Sequence, residues 1–239
     1  MAEVPSSRRV AGLLVLTFSS GMVDAVGFIA LGHVFCALAT GNVLFLGLAV
    51  AGEPQLGVSN TVAALGSFVV GLAAGHHAIL RLLARGRDWF RITIGAETVV
   101  LAAAAAAGWG LTARPPGELG LRHYGVVVML ALAMGARTAT THRVGVPGLS
   151  TILITTSLAL LFGTPPGGSG EVRGDARAGR THRRRYLTAV LSIFCGAVAG
   201  TLLLRLGVTA ALVVAAGCAA AVLFVDGGGR ARAGPARPV

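Results

Sequence analysis

Few residues in this chain could do chemistry, and each interrupts an apolar run. Asp24 lies within Met22-Val23-Asp24-Ala25-Val26. A carboxyl there can hold a proton or a cation, form a structural ion pair, or cap broken backbone. Two polar triplets come next, Thr40-Gly41-Asn42 and Thr155-Thr156-Ser157. Their hydroxyls and amide can satisfy non-helical backbone at membrane depth, which survives only where protein or water pairs its polar groups. They can equally bond one helix to another. Arg137 is the expected partner of Asp24, and Glu97 is expected near an interface, paired with Arg91 or reaching to water.

Other reactive types point to less. His33, His76 and His77 have no second ligand at metal spacing, so no metal site is expected. Cys36, Cys195 and Cys218 lie in apolar segments without CxxC or Cys/His spacing and read as small core residues. No phosphate-binding loop, nucleophile elbow or HExxH pattern occurs. Neither an enzyme nor a resident cofactor is therefore expected.

The elements that position these residues follow from composition. The 239 residues are 54% hydrophobic and 12% charged, with mean hydropathy +0.78, against about 25% charged in ordinary globular domains. Such a chain cannot cover a water-facing surface, which excludes most soluble enzyme classes and makes the lipid bilayer its first partner. Apolar segments fall at 10–31, 34–51, 58–80, 92–111, 124–140, 149–163, 186–206 and 208–225. Six approach the roughly 20 residues that a helical span requires. The second and sixth are short and contain the two polar triplets, so they read as re-entrant or broken segments. Asp24 then lies about 5 Å from the middle of the first span, where an ionised carboxylate costs roughly 2.5–3.5 kcal/mol.

The fold expected is an all-α, polytopic transmembrane bundle of two similar four-segment halves. The first repeat is 1–111. The second is 112–226, with a basic inner loop at 164–185, and 227–239 is a flexible basic tail. Gly21, Thr40 and the Gly71/Gly75 pair recur in order as Gly135, Thr155 and the Gly196/Gly200 pair. Each GxxxG pair puts two glycines on one helix face for close packing, within the chain or in a homo-oligomer.

All 20 basic residues are arginine, and the net charge is +11. Their clustering between apolar runs reads as membrane topology rather than nucleic-acid binding. With six spans and the N-terminus inside, 17 arginines fall inside and 3 outside; with eight spans the split is 13 to 7. The positive-inside rule favours six, with both termini in the cytoplasm. Ser7-Arg8-Arg9 resembles a twin-arginine signal, but no small-x-small cleavage site follows, so a retained first span is expected.

The stretch from Phe18 through Asp24, Gly32 and Thr40-Gly41-Asn42 to Gly47 resembles the YoaK family of bacterial inner-membrane proteins. Met134-Gly135, the Val146-Pro147 turn and Thr155-Thr156-Ser157-Leu158 are similar too, and the resemblance runs from Ala11 to Val225. Family members carry Gln-Asn after the Met-Gly and Thr-Gly-Thr in the later motif; this chain has Arg137-Thr138 after Ala136, and Thr156 in place of the glycine. The resemblance implies an integral membrane protein of about six spans without an assigned activity.

The function expected is passage of a small solute or ion along a polar path lined by Asp24, Thr40, Gly41, Asn42, Arg137, Thr155, Thr156 and Ser157. The alternative is a membrane scaffold or regulator that holds lipid or a protein through its arginine-rich loops. The location expected is the bacterial plasma membrane.

Overall fold

In hydrocarbon every backbone amide needs a partner within the protein, which favours helices. The computed structural model describes residues 7–112, 119–144 and 175–227, and these form seven helices and no strand. They are α1 (Ser7–Ala30), α2 (Ala39–Val50), α3 (Val58–Ala84), α4 (Trp89–Ala107), α5 (Leu121–Val144), α6 (Asp175–Leu203) and α7 (Val208–Gly227). A short 3-10 turn, Leu204–Leu206, joins α6 to α7.

Five of them, α1, α3, α4, α5 and α6, are long and apolar enough to cross a membrane. Val208–Phe224 of α7 is a shorter apolar helix, as is α2. The 12 residues of α2 extend only about 18 Å, against a hydrocarbon core of about 30 Å.

The chain does not use α2 to pass from one end of the bundle to the other. Asn60, in the first turn of α3, donates from Nδ2 to the carbonyls of Leu31 (2.9 Å) and Gly32 (2.7 Å), just past the end of α1. His33 Nδ1 lies 3.1 Å from the Gln55 carbonyl oxygen, so the loop after α2 returns to that same end. Between these points the chain dips back along α1 until the amides of Cys36 and Ala37 meet Asp24. The reversal begins at Gly32 (φ +85°) and His33 (φ +59°), a left-handed pair that only glycine adopts without cost. Residues 34–38 are not helical, so the apolar segment 34–51 is a loop followed by a half-length helix.

The ends of the other helices fix their directions. Arg122, at the start of α5, donates to the carbonyls of Ala107 and Trp109 at the end of α4. Tyr124 of α5 and Ser59 of α3 share a hydroxyl hydrogen bond of 2.8 Å. Hence α3 and α5 start at one end of the bundle and run in the same direction, with α4 opposed to both. The start of α7 lies at that end too, since Val208 contacts Gly108.

Two glycine-mediated crossings hold the long helices together. A methyl group added at Gly71 would strike the Leu132 carbonyl, and one at Gly75 would come within 2.9 Å of the Ala136 Cα. From the other side, Gly135 meets the Phe68 carbonyl and lies 2.7 Å from the Leu72 nitrogen by the same measure. The pair α1 and α6 repeats this arrangement: Gly21 meets the Ile193 carbonyl, Gly196 the Phe18 carbonyl, and Gly200 the Met22 Cα at 2.8 Å. All four GxxxG glycines thus serve packing within the chain.

Burial follows from these crossings. Of the five long helices, α1 and α5 are the most enclosed and α6 the least. The polar residues Ser19, Ser20, Asp24, Arg137, Thr138 and Thr140 all lie on the two central helices and are buried. Val43, Leu44, Val69, Val70, Val99 and Phe194 face outward, as lipid requires.

Part of the basic stretch 164–185 is helical, from Asp175, so Arg177, Arg180, Arg183, Arg184 and Arg185 belong to α6 and precede its apolar span from Leu187. The second short segment, with Thr155, Thr156 and Ser157, lies outside the described residues, as does 228–239 of the tail.

Two outcomes follow. Gly71→Leu and Gly196→Leu will each force a helix pair apart, costing about 3 kcal/mol or more and read as lost thermal stability in detergent. Single cysteines at Glu53 and Leu121 will react from one face of the membrane and one at Arg87 only from the other, measured with an impermeant maleimide before and after permeabilisation.

Candidate functional site

The site is built around a gap in the helical ladder. Residues 31–38 cannot pair their own amides and carbonyls as a helix does, and they lie among buried residues: Leu31, Val34, Cys36 and Ala37 are all in the core. Three side chains, one each from α1, α2 and α3, take over that pairing. Asp24 Oδ1 accepts from the amides of Cys36 (2.8 Å) and Ala37 (2.7 Å). Asn42 accepts from the Phe35 amide at 2.9 Å and donates back to the Phe35 carbonyl. Asn60 holds the Leu31 and Gly32 carbonyls.

The triplet Thr40-Gly41-Asn42 therefore divides its roles. It forms the first turn of α2 rather than the middle of a span. Only Asn42 is buried there, and Thr40 is exposed. Gly41 backs onto the Phe35 ring, whose Cδ2 lies 2.6 Å from where a Cβ would be. Phe35 in turn stacks with Phe28 and Phe45 at centroid distances of 5.5 and 5.2 Å, fastening the loop to α1 and α2.

One turn before Asp24, a second polar group crosses between helices. Arg137 of α5 reaches α1, where Nη1 donates to the Leu16 carbonyl (2.8 Å) and Ser20 Oγ (2.9 Å) and Nη2 to Ser19 Oγ (3.3 Å). Its ion partner is Glu97 of α4, bonded through Nε at 2.8 Å and through Nη2, with both side chains fully enclosed. This overturns two expectations. Arg137 pairs with Glu97 and not with Asp24, because its guanidinium emerges level with Ser19 and Ser20. Glu97 is no interfacial residue, because α4 starts at Trp89 and puts it near the helix centre.

Both carboxyls are used on one side only. Asp24 Oδ2 and Glu97 Oε2 are buried without a hydrogen-bond partner. Among the described residues no cluster of three metal-ligating side chains occurs. The residues available for chemistry are thus two carboxyls, one guanidinium and two serine hydroxyls, buried where α1, α4 and α5 meet.

Ser19, Ser20 and Asn60 were not singled out from the sequence. The first two lie about one turn from Asp24 on α1, and that spacing is the signal that could have found them. Asn60 follows a loop and carries no pattern of its own.

A profile of the family described as Protein of unknown function (DUF1275) matches residues 12–225. The chain belongs to this family. The UPF0700 transmembrane protein YoaK of Bacillus subtilis (strain 168) is 30% identical over 150 residues, 63% of this chain and 64% of that protein, so the match spans less than two thirds of the relative. No solved structure matches the chain. As a DUF1275 member, the protein is an integral membrane protein of an uncharacterised family, and the loop-and-carboxyl arrangement lies within the matched residues.

Breaking the buried pair from one side leaves the other member without its direct partner. Glu97→Leu and Arg137→Leu will each destabilise by about 3–5 kcal/mol, and the double variant by clearly less than their sum, in unfolding followed by circular dichroism in detergent. Arg137→Leu will be the worse single change, since it also removes the bonds from the guanidinium to the Leu16 carbonyl and to the hydroxyls of Ser19 and Ser20.

Proposed function

We propose that this protein moves a small solute or ion across the bacterial plasma membrane as a secondary transporter, along a polar path between two inverted halves, 1–111 and 112–226. The observation that carries the reading is the charged cluster at the centre of the bundle. Packing alone does not call for an acid, a base and a second acid in lipid, and intramembrane ionisable groups are the usual material of ion and proton paths.

The glycine crossings support the halves. Gly21 answers to Gly135, Gly71 to Gly196 and Gly75 to Gly200, and each corresponding pair occupies the same role at its crossing. Since α5 starts at the end where α1 finishes, the two halves have opposite orientation, as in inverted-repeat transporters. Thr138 then stands where Asp24 stands in the first half, each three residues after its glycine. The halves match in scaffold and differ in charge, and that difference gives the path one acidic site.

In this reading Asp24 exchanges a proton or cation, α2 and its loop form one wall, and Arg137 lines the path opposite. Thr155, Thr156 and Ser157 are proposed for the second wall by the same correspondence. Both termini and the arginine-rich start of α6 lie in the cytoplasm, as the positive-inside rule favours. The protein is not an enzyme in this reading.

The test uses the full chain in liposomes enclosing a pH-sensitive dye, with a low-molecular-mass extract of the source cells added outside. The wild type will change the internal pH, and Asp24→Asn, folded by circular dichroism, will do so at least tenfold more slowly. No response from the wild type, or an equal response from Asp24→Asn, would sink the proton-coupled reading.

A further inference from the structure

Among the described residues, four buried polar side-chain atoms lack a partner: Asp24 Oδ2, Asn60 Oδ1, Glu97 Oε2 and His123 Nδ1. Two of the four are carboxyl oxygens that flank one guanidinium. Glu97 bonds Arg137 directly. Asp24 lies one turn, about 5–6 Å along α1, from Ser20, which Arg137 also bonds.

Counting charge in this enclosed space gives an imbalance. With both acids ionised there are two negative charges and one positive. Among the described side chains nothing else nearby restores neutrality. Residues 187–203 of α6 and 208–224 of α7 carry no charged side chain, and His76, His77 and Arg81 of α3, Arg91 of α4 and Arg122, His142 and Arg143 of α5 are exposed. His123 is buried at the start of α5, bonded to the Thr112 carbonyl, and Cys36 and Cys218 offer only thiols. A thiol contributes no positive charge. An uncompensated charge buried in a low-dielectric interior is far more costly than a neutralised acid.

The hydrogen bonds have the form that a proton would give. A neutral carboxylic acid accepts through its carbonyl oxygen and keeps the other oxygen for hydrogen. Asp24 takes both loop amides on Oδ1, and Glu97 takes both guanidinium bonds on Oε1, so each acid keeps one oxygen free for the proton.

We propose that Asp24, Glu97 and Arg137 form one proton-binding site, in which the two carboxyls share the single guanidinium and together hold one proton. Arg137 neutralises whichever acid is ionised. The proton sits on the bare oxygen of the other, Oδ2 of Asp24 while Arg137 is on Glu97. As the coupling step of transport this rests on the transporter reading. As a binding site it is testable where no flux exists.

The experiment counts protonated carboxyls in the purified full chain in detergent at neutral pH, from the infrared carbonyl band of the acid form. The Asp24→Asn/Glu97→Gln double variant sets the zero. The wild type will show one per chain; none or two would overturn the proposal without recourse to any variant. Glu97→Gln will show none, because Arg137 is freed to neutralise Asp24, and Glu97→Ala, with the same charge, is the second variant if the first does not fold. A band that persists in a folded Glu97→Gln protein would mean that Asp24 is protonated on its own account, and the shared site would be wrong. A protein with one shared proton but no solute movement in liposomes would keep this site and lose the transporter reading.

Discussion

An interrupted helix in a membrane leaves amides and carbonyls that lipid cannot pair, and the rest of this structure is arranged around meeting that need at residues 31–38. Asp24, Asn42 and Asn60 each bond backbone within this stretch. Each comes from a different helix, so the loop is a joint as well as a gap: it ties α1, α2 and α3 into one corner. The demand on Asp24 is severe. It must supply an acceptor to two amides from a buried position with its second oxygen unpaired.

The same logic explains why the polar residues gather on α1 and α5. A helix at the bundle centre meets protein on most of its circumference, so it can carry serine, threonine, aspartate and arginine without exposing them to lipid. A peripheral helix such as α6 cannot, and its described residues 187–203 are apolar apart from threonine, serine and cysteine. Glycine makes the enclosure possible. Where backbone meets backbone at Gly21, Gly71, Gly135 and Gly196, the outer helices approach closely enough to shut water and lipid away from the central pair.

Much of this could be read in advance, and the limits are physical. Composition and apolar run lengths give the class, because lipid imposes its demand on every residue of a span. The short segment 34–51 is legible as unusual for the same reason. That it starts as loop and becomes helix only at Ala39 depends on where Asp24 and Asn42 reach, which is a matter of three dimensions. The choice of partner for Arg137 was beyond the sequence: Asp24 and Glu97 are both acids in apolar spans, and only the rotation and depth of α4 separate them. Helix ends misled in a simpler way. Starting the fourth span at Ile92 rather than Trp89 left Glu97 a turn from the interface, whereas the seventh, read from Tyr186, agrees with an apolar span from Leu187.

The crossing of α1 with α6 also has a consequence for biosynthesis. About 145 residues separate the end of α1 from the start of α6, and at about 5–20 residues per second a ribosome takes roughly 7–30 s to bridge that interval. For that time the first helix to be inserted, with its aspartate and serines, lacks the neighbour that its glycine is shaped to receive. The acid can be covered early by its own loop, since α2 and α3 follow at once, but the opposite face has to wait. Until α6 is made, the chain can hold the corner of α1, α2 and α3 but lacks the crossing at Gly21.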